Sequence, residues 1–426
     1  MSTVTPLSFN YSQLPASIPA RKKTRKFSPE NGATFSPNGV NVIRIPVRDL
    51  QYLDGKNSYL KFKFKQSGGD GSTANALRFD PNCSAVIRRI RVLVGSTVAE
   101  DIERVNVLQN LLVQSQGSDD YNRALQILSG QSVDDEDGTD RIHGEDLAHG
   151  AEKTYCTSLF SGFLNSGKYL PLGLMGSNSL TIELYLEKAV NIGVWESDPV
   201  GVGYELTSVE FVGSMIEIQD DAVNNSLKAQ MMSTGLEFHG TTYSTHTNSI
   251  SGNGAQVNIP ERCKSLKGLI SAVVYGPGAD AYGSASLQTR FPGNVNGDGI
   301  AWNYRIGSEL LPQQPVTNSA ESFIEFQKAY NHLFSLDQSC YANKSRWNTL
   351  ATSNDKKKSG CFNMTISTES FSHTNSMESG LDLASAAIPV SLSLGAILLG
   401  GNETLLTYAY KDIIWSLGAS GFEVSL

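Results

Sequence analysis

The sequence predicts a large, two-domain, mostly β protein, and three observations carry that prediction. At 426 residues the chain exceeds one ordinary hydrophobic core. Its 39 glycines and only 18 % charged residues suit many strands joined by long turns, where a helical bundle would carry more Ala, Glu, Lys and Leu. Short apolar–polar alternations recur along the chain and twice give way to one segment of helical period.

Residues 1–36 are polar, proline-bearing and weakly patterned, which predicts an arm and not a core element. Within it Arg21, Lys22, Lys23, Arg25 and Lys26 form the longest dense basic run of the protein. A solvated tail accounts for it, and so does an arm that meets nucleic acid, another polyanion or an acidic partner. Loss of nucleic-acid binding on removing residues 1–26 separates the two. The net charge of −8 excludes a protein whose whole surface binds nucleic acid.

Strand signals follow in series. Residues 40–47 carry Val42, Ile43 and Ile45, and residues 58–65 place Tyr59, Phe62 and Phe64 opposite lysines. In residues 86–94 Arg88, Arg89 and Arg91 interleave with apolar positions, as on the outward face of a half-buried strand. Residues 100–116 change period, with Ile102, Val105, Leu108, Leu111 and Leu112 at helical spacing, so a helix of about four turns is expected there. Residues 129–150 are acidic and contain His143 and His149. No twelve-residue register lying within them places a glycine sixth and a glutamate twelfth, as a calcium loop of EF-hand type requires. The two histidines are also too far apart to share one helical face, so a solvated loop is expected.

Residues 158–188 contain Gly162 and the pair Gly167-Lys168 at phosphate-loop spacing. That chemistry needs a hydroxyl after the lysine and a helix beginning there. Tyr169, Leu170 and Pro171 supply neither, and the proline opposes the helix. A strand, a proline corner and a closing strand with Leu180, Ile182, Leu184 and Leu186 are expected instead. Residues 204–218 read as another strand or strand pair, and 220–226 as a connector.

From there the order of signals repeats. Short strands at 236–243 and 256–259 precede an apolar one at 268–275 and a long Gly/Pro/Asn loop at 282–299. Residues 319–336 carry Phe323, Phe326, Tyr330 and Leu333 at helical spacing, and strand signals close the chain. The apolar stretch 381–399 holds Asp382, Pro389 and several serines, so buried strands are expected and not a membrane span. The resulting division is an arm at 1–36, a first unit at 37–220 and a second at 221–426.

Enzyme signals are thin. G-x-S-x-G, H-E-x-x-H and a post-strand G-x-G-x-x-G are all missing from the sequence. The six histidines stand apart, and Cys83, Cys156, Cys263, Cys340 and Cys361 form no C-x-x-C pair, which suits a reducing compartment. Residues 1–20 hold no apolar run of signal-peptide type, so secretion by that route is not expected. No catalytic residue, cofactor or metal ligand is predicted.

Several passages, taken together, resemble the double jelly-roll major capsid proteins of double-stranded DNA viruses, most of all those of polinton-like viruses and virophages. Residues 90–94 with 100–112 are similar to the strand, turn and helix excursion of a first roll. Residues 167–187, GKYLPLGLM and then LTIELYLE, resemble its proline corner and closing strand. YRIGSELLPQQP at 304–315, before an aromatic helix, resembles the matching passage of a second roll, and 401–415 its final strands.

The resemblance implies an all-β fold of two consecutive eight-stranded jelly rolls with one short helix excursion in each. It implies a structural protein of the virion and no enzyme. Three copies would form a pseudo-hexameric capsomer, and capsomers would tile an icosahedral shell with minor capsid, penton and cement proteins. The arm with Arg21, Lys22, Lys23, Arg25 and Lys26 would face the particle interior, toward genome or an inner membrane. Loops 67–76, 129–150 and 282–299 would build the tower and the contacts between subunits. A carbohydrate-binding β-sandwich is the alternative, with Trp302, Tyr304 and Tyr282 stacking on sugar rings.

Overall fold

The computed structural model describes residues 19–68, 77–115, 123–134, 141–175, 179–195, 201–250, 254–275, 301–333, 342, 347, 361–369, 380–385, 387–395 and 403–425. The loop 282–299 and Tyr282, the loop 69–76 and Cys340 lie outside these residues.

Eight of the strands among the described residues build the roll of the first half, beside shorter ones: β1 (Ala20–Phe27), β2 (Val42–Val47), β3 (Tyr52–Gly68), β4 (Ile87–Val94), β5 (Thr97–Glu103), β6 (Glu152–Thr157), β7 (Leu180–Leu186) and β8 (Val202–Ile218). They pair antiparallel in the orders β1-β8-β3-β6 and β2-β7-β4-β5. The second half repeats the plan with β9 (Leu236–Ile250), β10 (Ala255–Ile259), β11 (Leu266–Tyr275), β12 (Trp302–Ile306), β13 (Glu309–Val316), β14 (Met364–Ser367), β15 (Val390–Leu394) and β16 (Glu403–Gly418). Its sheets run β9-β16-β11-β14 and β10-β15-β12-β13, the same order eight strands on. This is the jelly roll, two four-stranded sheets whose chain crosses between them. It occurs twice.

The helices fall at matching places. α1 (Val105–Ser115) joins β5 to β6 and the later α3 (Ser319–Leu333) joins β13 to β14. α2 (Asp221–Ser233) links the rolls, and its first turn is capped by the Asp220 carboxylate, which accepts from Ala222 N–H. A connector was expected there; the low apolar content of this helix, with Met231 its one buried residue, hides it from periodicity. A further helical turn, Gln126–Ser129, leads into the acidic residues 129–150.

Each core follows from alternation. In β2, Ile43, Ile45 and Val47 are buried, and in β7 Leu180, Ile182, Leu184 and Leu186 meet them. The outward side chains of that sheet form a charge ladder: Arg44 donates to Glu183 at 2.6 Å, Arg89 to Asp101 at 2.5 Å and Arg88 to Glu103 at 2.8 Å. The arginines of β4 are therefore cross-strand partners, the outward role the alternation predicts.

Four expectations need correction. The helix expected over 100–116 begins only at Val105, because residues 97–103 pair with β4 and Arg104, at φ 54°, breaks the strand from the helix. The solvated loop expected at 129–150 includes a hairpin of Gln131–Asp134 with Arg141–Gly144, and Asp146–Leu147 pairs with Leu77–Phe79. β7 does not close its unit: it lies between β2 and β4, and β8 ends the roll. Residues 20–27, placed in an arm from their polarity, form edge strand β1 along β8. Polarity misleads there because only Phe27 of the strand is buried. Among the described residues no helix is long and apolar enough to cross a membrane, and residues 390–394 are a buried strand.

Candidate functional site

The chemistry of this molecule is concentrated where the two rolls meet. β5 and residues 159–165 of roll one lie against β9 and β16 of roll two, and the Glu100 carboxylate is the hub between them. It accepts from Gly162 N–H at 2.9 Å, Phe163 N–H at 3.4 Å, Thr242 Oγ1 at 2.7 Å and the hydroxyl of Ser161. Thr242 belongs to roll two; the other three donors belong to roll one. Burial raises the Glu100 carboxyl above its ordinary range, against the hydrogen bonds from Ser161, Thr242, Gly162 and Phe163 that pull it down.

Backbone carbonyls of roll one extend the seam. Ala99 O accepts from Trp415 Nε1 at 2.7 Å, Glu103 O from Thr245 Oγ1 at 2.8 Å and Arg104 O from Tyr408 O–H at 2.9 Å. Phe163 packs edge-on against Trp415, ring centroids 5.1 Å apart, and against Phe422 at 5.7 Å. The approach is close enough to demand glycine. A Cβ on Gly162 would collide with Thr241 O across the seam, and one on Gly240 would meet the Trp415 ring of its own roll at 2.6 Å and Gly162 O across the seam at 3.4 Å. Gly162, first of the phosphate-loop glycines, is therefore required by inter-roll contact and not by an anion.

The basic run stands elsewhere, along β1, and it is paired. Lys23 meets Glu217 at 2.5 Å, Arg25 meets Asp49 at 2.7 Å, Lys26 meets Glu210 at 3.1 Å and Lys22 meets Asp54 at 3.6 Å. Arg21 pairs with Glu217 in strand register. These five side chains line both faces of the edge of roll one, Arg21, Lys23 and Arg25 on one and Lys22 and Lys26 on the other, with carboxylates of the same roll among them.

A second buried charge cluster lies within roll two. Glu261 accepts from Lys411 Nζ at 3.0 Å and pairs with His246 Nε2 at 3.0 Å. Burial would raise Glu261, but His246 and Lys411 outweigh it and hold the carboxyl down to about 2. Among the described residues no group of three or more His, Cys, Asp or Glu could hold a metal ion. An open pocket of about 370 Å³ between Leu50, Tyr52, Leu174, Ile218 and Asn224 carries one carboxylate, Glu217, the partner of Lys23.

The sugar-stacking reading is overturned at the residues described. Trp302 is 1 % exposed and Tyr304 0 %, with their polar atoms spent on Ser322 Oγ and Met364 O. Both are core.

The chain matches no family model, and no curated protein matches it in sequence. Solved structures do match over nearly its whole length. The PBCV-1 capsid protein VP54, fitted into a reconstruction of the virophage Sputnik, aligns with a TM-score of 0.60 at 10 % identity, covering 98 % of this chain and 99 % of that one. The Faustovirus major capsid protein aligns at 0.61 and 9 % identity over 98 % and 93 %. The mavirus major capsid protein aligns at 0.51 and 10 % over 100 % and 96 %. The fold is the double jelly roll of viral major capsid proteins. In this double jelly roll the seam residues Glu100, Gly240, Thr242 and Trp415 escaped sequence reasoning, and Gly162 stood out there for a different chemistry. The signal available for them was a repeated hairpin: Val94-Gly95-Ser96-Thr97 and Ile306-Gly307-Ser308-Glu309 turn on the same dipeptide, with Gly95 at φ 63° and Gly307 at φ 62°.

Proposed function

We propose that this protein is the major structural subunit of a DNA virus capsid. The observation that carries the reading is one chain holding two jelly rolls of identical strand order, joined flank to flank through a buried polar seam. Three copies then supply six similar sandwiches, and a cyclic arrangement closes on itself without exposed ends. Such a ring is a pseudo-hexameric capsomer, and capsomers tile an icosahedral shell together with minor capsid, penton and cement proteins. The protein's place is the virion, and its work is mechanical, with no turnover assigned to it.

In this reading the chain divides into an N-terminal segment, a first roll ending near Asp220 and a second from there on. The N-terminal end of β1 stands at the base of the capsomer. Its basic run, Arg21, Lys22, Lys23, Arg25 and Lys26, lies at that inner end of the flank, toward genome or an inner membrane.

Electron microscopy of the purified protein tests this directly. Six-lobed rings with threefold symmetry are expected; isolated two-lobed particles at every concentration would end the reading.

A further inference from the structure

The internal repeat shows what is missing as well as what is present. β5 is the edge strand of its sheet, and roll two covers it: Ala99, Glu100 and Ile102 are buried. β13 holds the equivalent edge in roll two, and among the described residues no strand pairs with its outer side. Glu309, Leu310, Gln313, Gln314 and Pro315 are exposed, Leu310 to 40 %. The following helices differ in the same sense. α1 is buried on nearly every side, whereas α3 leaves Ile324 51 % exposed.

The two edges also share an irregularity. After the Gly95-Ser96 turn, pairing slips at Ala99, between Leu93↔Val98 and Val92↔Glu100. That bulge is the part of roll one that enters the seam, through Ala99 O and the Glu100 carboxylate. After the Gly307-Ser308 turn, pairing slips between Tyr304↔Leu311 and Trp302↔Val316, and residues 312–315 stand out. Pro312-Gln313-Gln314-Pro315 is thus a bulge at the corresponding place. Bulges bend an edge away from further strand pairing and re-aim its side chains.

We infer that this proline-bracketed bulge of β13 is the plug by which roll two of one copy docks onto roll one of the next, against the flank of β1 and β8. This rests on the capsomer reading and names its contact surfaces. The occupant is a second copy of this chain, on two grounds. The receiving surface for β5 is formed by β9 and β16, and the strands of roll one in the same sheet positions are β1 and β8. The charges are compatible: β13 offers Glu309 and two amides with no cation among its eight residues, and β1 carries the five cations Arg21, Lys22, Lys23, Arg25 and Lys26 against the four carboxylates Asp49, Asp54, Glu210 and Glu217 of its own roll. Leu310 and Ile324 supply the apolar margin that a stable contact requires.

The test pairs two sets of charge changes. The double variant Gln313→Arg with Gln314→Arg sets like charges against β1, and such juxtapositions cost several kcal/mol. Association is expected to weaken at least about 100-fold by light scattering. Far-ultraviolet circular dichroism is expected to remain that of the wild type. Adding Lys22→Glu, Lys23→Glu and Lys26→Glu in the same chain is expected to recover the oligomer. Amide exchange on the wild type at two concentrations gives a readout independent of any variant, with protection of residues 20–27 and 309–316 expected on assembly. A wild-type oligomer indifferent to the β13 changes, or protected elsewhere, overturns this inference and leaves the capsomer reading standing. A wild type that never associates overturns both.

Discussion

β5 and β13 occupy the same position in two sandwiches of the same order, yet one is interior to the molecule and the other is surface. Their sequences follow their surroundings. TVAEDIE places a carboxylate where four donors converge on it, whereas ELLPQQPV spreads apolar, amide and proline side chains that need no buried partner. The difference teaches that a duplicated fold diverges most where one copy covers the other. It also separates the contacts that fold a single chain from those left for a neighbour.

The comparison is broken most completely at Gly162. Gly162→Val drives a side chain into the Thr241 carbonyl, a backbone collision that no rotamer relieves. A loss of about 5 kcal/mol is expected, at the upper end for a single substitution. Exchange at residues 97–103 should rise to the level of 309–316. Unchanged melting and exchange would show that the rolls are not held at this seam.

Next in size is Glu100. Glu100→Ala leaves Thr242, Ser161 and Gly162 donors buried without their acceptor, at about 1–3 kcal/mol each before relaxation. A total near 3–4 kcal/mol is expected, and Glu100→Gln should recover much of it. The pH response sharpens the point. Burial raises this carboxyl in the folded protein, so the folded state binds its proton more readily than the unfolded chain. Stability gained through Glu100 therefore grows as pH falls from neutrality toward the ordinary carboxylate range. Chemical denaturation across that range should show this slope in wild type and a flatter one in Glu100→Gln; identical slopes would remove Glu100 from the account.

Glu261 acts inside roll two, and its loss should leave the roll-one side of the seam alone. Its carboxyl lies at about 2 against an ordinary 4.5, so it contributes stability above pH 4.5 that is lost as pH falls through about 2. Glu261→Gln is expected to cost about 2–3 kcal/mol at neutral pH. The weakened region, read by amide exchange, should be β9, β11 and β16, with β4 protected as before. Equal loss in β4 would mean the two rolls melt as one unit.

The smallest effect belongs to β1. Lys22→Ala and Lys23→Ala remove exposed ion pairs, each worth less than about 1 kcal/mol to the folded chain. Thermal unfolding in dilute solution should barely move. A large shift would make these pairs part of the roll's own stability and not a surface held for another molecule.

Much of the fold was legible because alternation is a local signal. Ile43 and Ile45, Leu180 to Leu186 and the aromatic spacing of Phe323, Phe326 and Tyr330 announce strands and a helix from neighbours in sequence. The seam was not, because its parts come from positions 99–104, 159–165, 240–245 and 408–422, and each looks ordinary alone. Gly162 was conspicuous for the wrong chemistry. Its glycine spacing matches a phosphate loop, while its cause is a carbonyl about 80 residues along the chain. The basic run was read from charge, and charge says nothing of Glu210 and Glu217 on neighbouring β8, or of Asp49 and Asp54 from elsewhere in the roll, that the fold brings beside it.

Absolute mass in solution is the most direct test of twin rolls built to continue from one chain into the next. Light scattering on the eluting wild-type protein should give three times the chain mass of 46.0 kDa. A single chain mass maintained at the highest soluble concentration would contradict the account.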